Sequence, residues 1–112
     1  MAAIPIADDV TCTAFQPLLE LIGKRWVGVL LLAGAQGARR FGQYRALVTG
    51  ISDRMLTQRL RELEREGLIA RTVIPSSPVQ VLYAPTARGE QLIDALRPLL
   101  EWSLRHPDFV AR

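Results

Sequence analysis

Apolar residues recur along this chain at two different periods, and each change of period marks an element. From Thr11 onward Phe15, Leu18, Leu19 and Ile22 fall three and four residues apart, the spacing of one helix face. Pro17 is expected in the first turn of that helix, where its missing N–H does no harm, and Gly23 is expected to end it. Trp26, Val27, Val29, Leu30, Leu31 and Leu32 are too continuous for one face. A second helix, closed by Gly34 and Gly37, should therefore be buried nearly all round. Phe41, Tyr44, Leu47 and Val48 share one side of a short third helix. Thr49-Gly50-Ile51 then turns the chain into the stretch Ile51–Gly67.

In that stretch Leu56, Leu60 and Leu63 form one stripe, with Ser52 placed as N-cap and Gly67 as the C′ glycine. A short helix, a tight turn and a second helix is helix-turn-helix spacing. The period then shortens to two. Leu68 to Ile74 and Val79 to Tyr83 read as strands around a Pro75-Ser76-Ser77-Pro78 turn. A lone hairpin is marginal in water, so this one must pack on the helices as a wing. Thr86 caps a final helix with Leu92, Leu96 and Leu99 at helical spacing, joined by Ile93, Leu100, Trp102 and Leu104. Pro98 is expected to kink it, and residues after His106 are expected to fray. The expected fold is mainly α with a small β-hairpin (α+β), a winged helix-turn-helix dimerising through terminal helices. Residues 1–10 read as a flexible arm and 11–106 as the one domain.

Composition agrees with a soluble, reduced, globular chain. Its 112 residues are 49% hydrophobic and 22% charged, enough to bury a core. The uncharged, mostly apolar run Trp26 to Ala38 holds 13 residues, and a membrane span needs about 20. The first residues carry Asp8 and Asp9 and no cationic segment before an apolar run, unlike a signal peptide. A single cysteine excludes an intrachain disulfide and fits the cytoplasm.

Charge changes the picture more. Between Arg39 and Arg71 stand eight arginines against Asp53, Glu62, Glu64 and Glu66, while the rest of the chain is net negative. A basic surplus of this kind most often meets nucleic acid, with a solvated charged surface as the alternative. On Ile51–Gly67 the face opposite the leucines carries Arg54, Thr57, Gln58 and Arg61. Arginine can pair bidentately with guanine and glutamine with adenine, and threonine serves a base or a phosphate. Ser52 lies nearer a phosphate at the helix start, and Asp53 and Glu62 should point aside. Arg39 and Arg40 are candidate phosphate contacts, or partners of a nearby carboxylate.

The stripe Leu92, Leu96, Leu99, Leu100 and Trp102 is richer than a small domain needs and suits a second copy of the chain, with packing on its own core as the alternative. Cys12 reads as a small apolar residue at a helix start, or as a thiol whose pKa that position lowers. The sole histidine, His106, has only Glu101 and Asp108 near it in sequence, and no metal-ligand spacing or phosphate loop is present. Catalysis, a metal and a cofactor are therefore not expected.

With these elements in place the chain resembles the HxlR family of bacterial transcriptional regulators, winged-helix dimers of MarR-like type. The resemblance runs from Cys12 to Trp102. It rests on Gly23-Lys24-Arg25-Trp26, Arg40-Phe41, Gly50-Ile51-Ser52-Asp53-Arg54-Met55-Leu56-Thr57, Leu60 to Ile69, and the later Tyr83, Thr86 and Gly89. It implies that Ser52 to Glu66 is a recognition helix in the major groove of double-stranded DNA, in a homodimeric repressor on a palindromic operator. It also implies an effector, either a small molecule or an oxidant or electrophile sensed near Cys12. The wing departs from the family: Pro78-Val79-Gln80-Val81-Leu82-Tyr83 lacks the usual cation, and Pro85 replaces a leucine. Arg71 could substitute if it points outward. A protein-interaction module without sequence-specific DNA binding is the competing reading, and a ligand pocket between the terminal helices and the core is a competing input.

Overall fold

The computed structural model describes residues 9–109. Five helices and one hairpin follow in the order α1 (Asp9–Ile22), α2 (Val27–Ala35), α3 (Phe41–Leu47), α4 (Asp53–Arg65), β1 (Ile69–Ile74), β2 (Gln80–Pro85) and α5 (Ala87–Arg105). This is the winged helix-turn-helix order. Most of the expected arm lies outside the described residues, and α1 begins at Asp9, inside its expected last two positions.

The core gathers one face from nearly every element: Val27, Leu30 and Leu31 of α2, Tyr44 of α3, Leu56, Leu60 and Leu63 of α4, Ile69 of β1 and Ile93 of α5. Full burial of a leucine contributes roughly 1.5–3 kcal/mol, so the α4 stripe anchors that helix strongly. Ser52 accepts a hydrogen bond from the Met55 amide at 3.1 Å and opens α4. Gly67, at φ 73°, closes it in the left-handed conformation that glycine adopts without strain.

Three local expectations are corrected. Pro17 sits well inside α1, not in its first turn, so α1 carries an interior gap in its hydrogen-bond ladder. Gly34 does not end α2; it is buried within it, and the chain turns at Gly37 with φ 106°. The reason is room. A Cβ on Gly34 would lie 3.0 Å from Pro85 Cγ and 3.2 Å from the Tyr44 hydroxyl, so glycine there admits the end of β2. Nor is α2 covered all round, since Val29 is 48% exposed.

The hairpin pairs Ile69 with Pro85, Arg71 with Tyr83 and Ile74 with Gln80 in antiparallel register. It is tied to the helices at its base. The Tyr83 amide donates to the Arg39 carbonyl at 2.6 Å, and the Tyr44 hydroxyl donates to the Tyr83 carbonyl at 2.7 Å. Thr86 both caps α5, accepting from the Gly89 amide at 3.0 Å, and donates its hydroxyl to the Gly67 carbonyl at 2.6 Å. One residue thus joins the end of α4 to the start of α5.

Pro98 lies inside α5, which continues as helix to Arg105. Beyond it the chain folds back instead of fraying. His106 stacks on Trp102 with ring centres 4.3 Å apart, and Phe109 meets Trp102 edge-on at 5.1 Å. Among the described residues no helix is long and apolar enough to cross a membrane.

Candidate nucleic-acid interface

Helix α4 divides its surface cleanly. Behind, Leu56, Leu60 and Leu63 are buried; in front, Arg54, Gln58, Arg61, Glu64 and Arg65 are exposed. Together with Asp53 and Thr57 these front residues line one open groove along the helix. Arg54, Gln58, Arg61 and Arg65 recur at three- and four-residue spacing and so share a stripe. Among the described residues, Arg54, Arg61 and Arg65 make no ion pair or hydrogen bond with the rest of the chain, so their guanidinium groups stand ready for an external acceptor.

The remaining residues expected at this site are placed unequally. Ser52 uses its side-chain oxygen in the cap, which also aims the free amides of the α4 N-terminus outward. Thr57 is partly buried, and its hydroxyl donates back to the Asp53 carbonyl at 2.9 Å. That leaves its oxygen and methyl for an external contact. Glu62 turns aside from the groove, whereas Asp53 lines it with its charge paired. Asp53 accepts from Arg45 at 3.0 and 3.1 Å, and Glu62 accepts from Arg59 at the same two distances.

Arg39 and Arg40 behave differently from each other. Arg39 is drawn inward, donating from Nη1 to the carbonyls of Gly34 at 2.9 Å and Ala38 at 2.7 Å. Neither expected partner, phosphate or carboxylate, receives that nitrogen; it ties the end of α2 to the loop before α3. Its charge lies beside Tyr44, whose phenol is nevertheless raised above its ordinary pKa because burial outweighs the favourable pull of Arg39. Arg40 stays exposed and donates from Nη2 to Gln80 Oε1 at 3.2 Å, at the first residue of β2. Gln43 Oε1 accepts from the backbone amides of both Arg39 and Arg40, at 2.9 and 3.0 Å, and so orders the entry to α3.

Arg71 is exposed on β1 and makes no ion pair among the described residues. The outer wing is apolar: Val73, Ile74 and Val79 are exposed, and no charged residue stands between Thr72 and Pro85.

Cys12 is exposed in the first turn of α1. The α5 stripe splits. Leu92 and Leu96 are half-buried against the chain's own core, whereas Leu99 is 60% and Trp102 38% exposed, near Leu104 on the same helix. Leu100 is half-buried.

Sequence reasoning overlooked Arg45, Arg59 and Arg65. Arg65 follows Arg61 by one helical turn and was legible from spacing. The Arg45–Asp53 pair and the bond from Arg59 to the Arg25 carbonyl were not, because they join different elements; the Arg59–Glu62 pair is an i,i+3 neighbour on α4.

Residues 21–109 match the HxlR-like helix-turn-helix family. YvaP of Bacillus subtilis, an uncharacterized HTH-type transcriptional regulator, is 35% identical over 92 residues, 82% of this chain and 85% of that protein. YodB of the same organism, an HTH-type transcriptional regulator, is 33% identical over 95 residues, 85% of each chain. Its reduced form superposes with a TM-score of 0.72 at 31% identity, covering 93% of this chain and 95% of that one. YodB has also been solved diamide-treated and quinone-bound. The redox regulator HypR in its reduced form gives a TM-score of 0.78 at 34% identity, covering 85% of this chain and 94% of that one.

Proposed function

Because this chain belongs to the HxlR-like helix-turn-helix family, and is thus a winged-helix DNA-binding transcriptional regulator, we propose that it is a cytoplasmic homodimeric repressor of a palindromic operator. The observation that carries this reading is the front of α4: unpaired Arg54 and Arg61 with Gln58, held outward by three buried leucines. Two such helices about 34 Å apart would enter successive major grooves on one face of the duplex. In this arrangement Arg54, Gln58 and Arg61 read base edges, and Thr57 meets a base methyl or a phosphate. The α4 N-terminus at Ser52 receives a phosphate, and Arg40 and Arg71 reach the backbone from either side. Arg39 serves from behind by fixing the loop that carries Arg40.

The exposed face of α5 (Leu99, Trp102 and Leu104), with Phe15 and Leu19 of α1, is the surface a second copy would cover. The input is a thiol-directed oxidant or electrophile acting at Cys12. Its exposure supports this, as do the oxidant-treated and quinone-bound forms of the related YodB and the redox regulation ascribed to HypR. With one cysteine per chain, the chemistry is alkylation, a mixed disulfide or a bridge between subunits.

Selection of bound sequences from a random duplex pool tests the whole reading. An inverted repeat with half-sites one helical turn apart is expected. Binding with no sequence preference at any salt concentration would instead favour a protein-interaction module.

A further inference from the structure

Arg59 and Arg61 are two residues apart on α4, about 200° around the helix, and so cannot face the same partner. Arg61 is exposed on the groove, whereas Arg59 is turned the other way, its side chain 13% exposed. From there its Nε donates to the Arg25 carbonyl at 3.0 Å, and its Nη1 donates to both oxygens of Glu62 at 3.0 and 3.1 Å. Glu62, 12% exposed, also faces the Lys24 ammonium at 3.6 Å.

The segment these groups hold is itself unusual. Trp26 has φ 81° and ψ −18°, a left-handed backbone that bulky side chains rarely adopt. Its indole reaches the helix-turn-helix turn, with Cη2 3.7 Å from where a Cβ on Gly50 would stand. The Arg25 guanidinium lies over the Trp26 ring at 4.6 Å. Lys24 is bolted on both sides, its amide donating to the Leu21 carbonyl of α1 and its carbonyl accepting from the Val27 amide of α2, each at 3.2 Å. At the other end of α4, the Arg45–Asp53 pair pins its first turn to α3.

From this geometry we infer that Arg59 and Glu62 are positioning residues for DNA recognition. They clamp the back of α4 to the strained α1–α2 connection, and so set the angle at which Arg54, Gln58 and Arg61 enter the groove. The inference rests on the DNA-reading role of α4 given above. Neither residue touches DNA. Charge-assisted contacts at such low exposure hold geometry more tightly than surface pairs do.

Electrostatics makes the test sharp. Neutralising a carboxylate on a DNA-binding helix should by charge alone tighten binding, whereas loosening the clamp should weaken it. The full-length protein, its Glu62→Gln and Arg59→Gln variants and the conservative Arg59→Lys are titrated with the wild-type-selected operator across a salt series. The temperature is one at which melting curves show every variant folded. Both glutamine variants are expected to bind about tenfold more weakly, with the wild-type slope of affinity against salt, and to select a broader set of sites. Arg59→Lys is expected to recover part of the loss.

Tighter or unchanged binding by Glu62→Gln would overturn the inference. So would a salt slope lower by about one in Arg59→Gln, since that marks a direct phosphate contact. Failure of the wild type itself to select any DNA would overturn the underlying reading, and is visible separately from any variant effect.

Discussion

The phenol of Tyr44, on the first helix of the helix-turn-helix, donates a 2.7 Å hydrogen bond to the main-chain carbonyl of Tyr83 in the wing. Their rings also meet edge-on, with centres 6.4 Å apart. The wing is therefore not an appendage of the recognition unit but is bonded to it through a fully buried side chain. Tyr44→Phe keeps the ring and orphans the Tyr83 carbonyl, so about 1–3 kcal/mol of stability should be lost, read by chemical denaturation. The phenol has a second signature. Its pKa is raised in the fold, chiefly by burial, so its contribution is fully present below pH 10 and is lost as pH rises through the higher folded value. The difference between wild type and Tyr44→Phe should therefore shrink in alkali; a constant difference to high pH would show that the phenol ionises freely.

Two glycines should respond oppositely to alanine. A Cβ on Gly89 would lie 2.0 Å from the Leu68 carbonyl oxygen, a backbone atom that cannot step aside. Gly89→Ala should cost about 3 kcal/mol or more through overpacking between α5 and the chain leading into β1. Gly42, inside α3, has nothing within 4 Å of such an atom. Gly42→Ala should gain roughly 0.5–1 kcal/mol from helix propensity. Melting temperatures of the two variants should move in opposite directions.

At the DNA face, Arg61→Ala should lose about 1–3 kcal/mol of operator affinity and relax preference at one base pair. Arg71→Ala should weaken binding to every sequence alike and lower the salt slope by about one. Binding assays over several salt concentrations and single-base operator variants separate the two. A uniform loss for Arg61→Ala would reassign it to the phosphates.

The interface proposed on α5 is best probed at Leu99, because Leu96 also packs on the chain's own core and its loss would confuse folding with assembly. Leu99→Glu should halve the mass measured by light scattering while leaving helical circular dichroism intact. A mass equal to that of the wild type would place the interface elsewhere.

Diamide or a quinone should abolish operator binding of the wild type and spare Cys12→Ser. Equal loss in both proteins would remove Cys12 from the sensing chemistry. Mass spectrometry of the treated wild type would then tell an adduct from a bridge between subunits.

Local pattern alone determined a good deal of this protein. The 3.6-residue spacing of Leu56, Leu60 and Leu63, the caps at Ser52 and Thr86, and the period-2 run after Gly67 specify element type and order, because periodicity and capping act over a few neighbouring residues. The outward stripe Arg54, Gln58 and Arg61 was legible for the same reason: a buried face on a helix defines its exposed one. Tertiary structure decided what those rules do not reach. Gly34 reads as a helix stop until Pro85 and the Tyr44 hydroxyl are brought against it. Arg39 reads as a phosphate contact until the carbonyls of Gly34 and Ala38 take its Nη1. Arg59 reads as one more surface arginine until Arg25, 34 positions earlier, offers its carbonyl. A cation's role depends on which acceptor the fold places within 3 Å of it, and that distance is set by packing between elements remote in sequence.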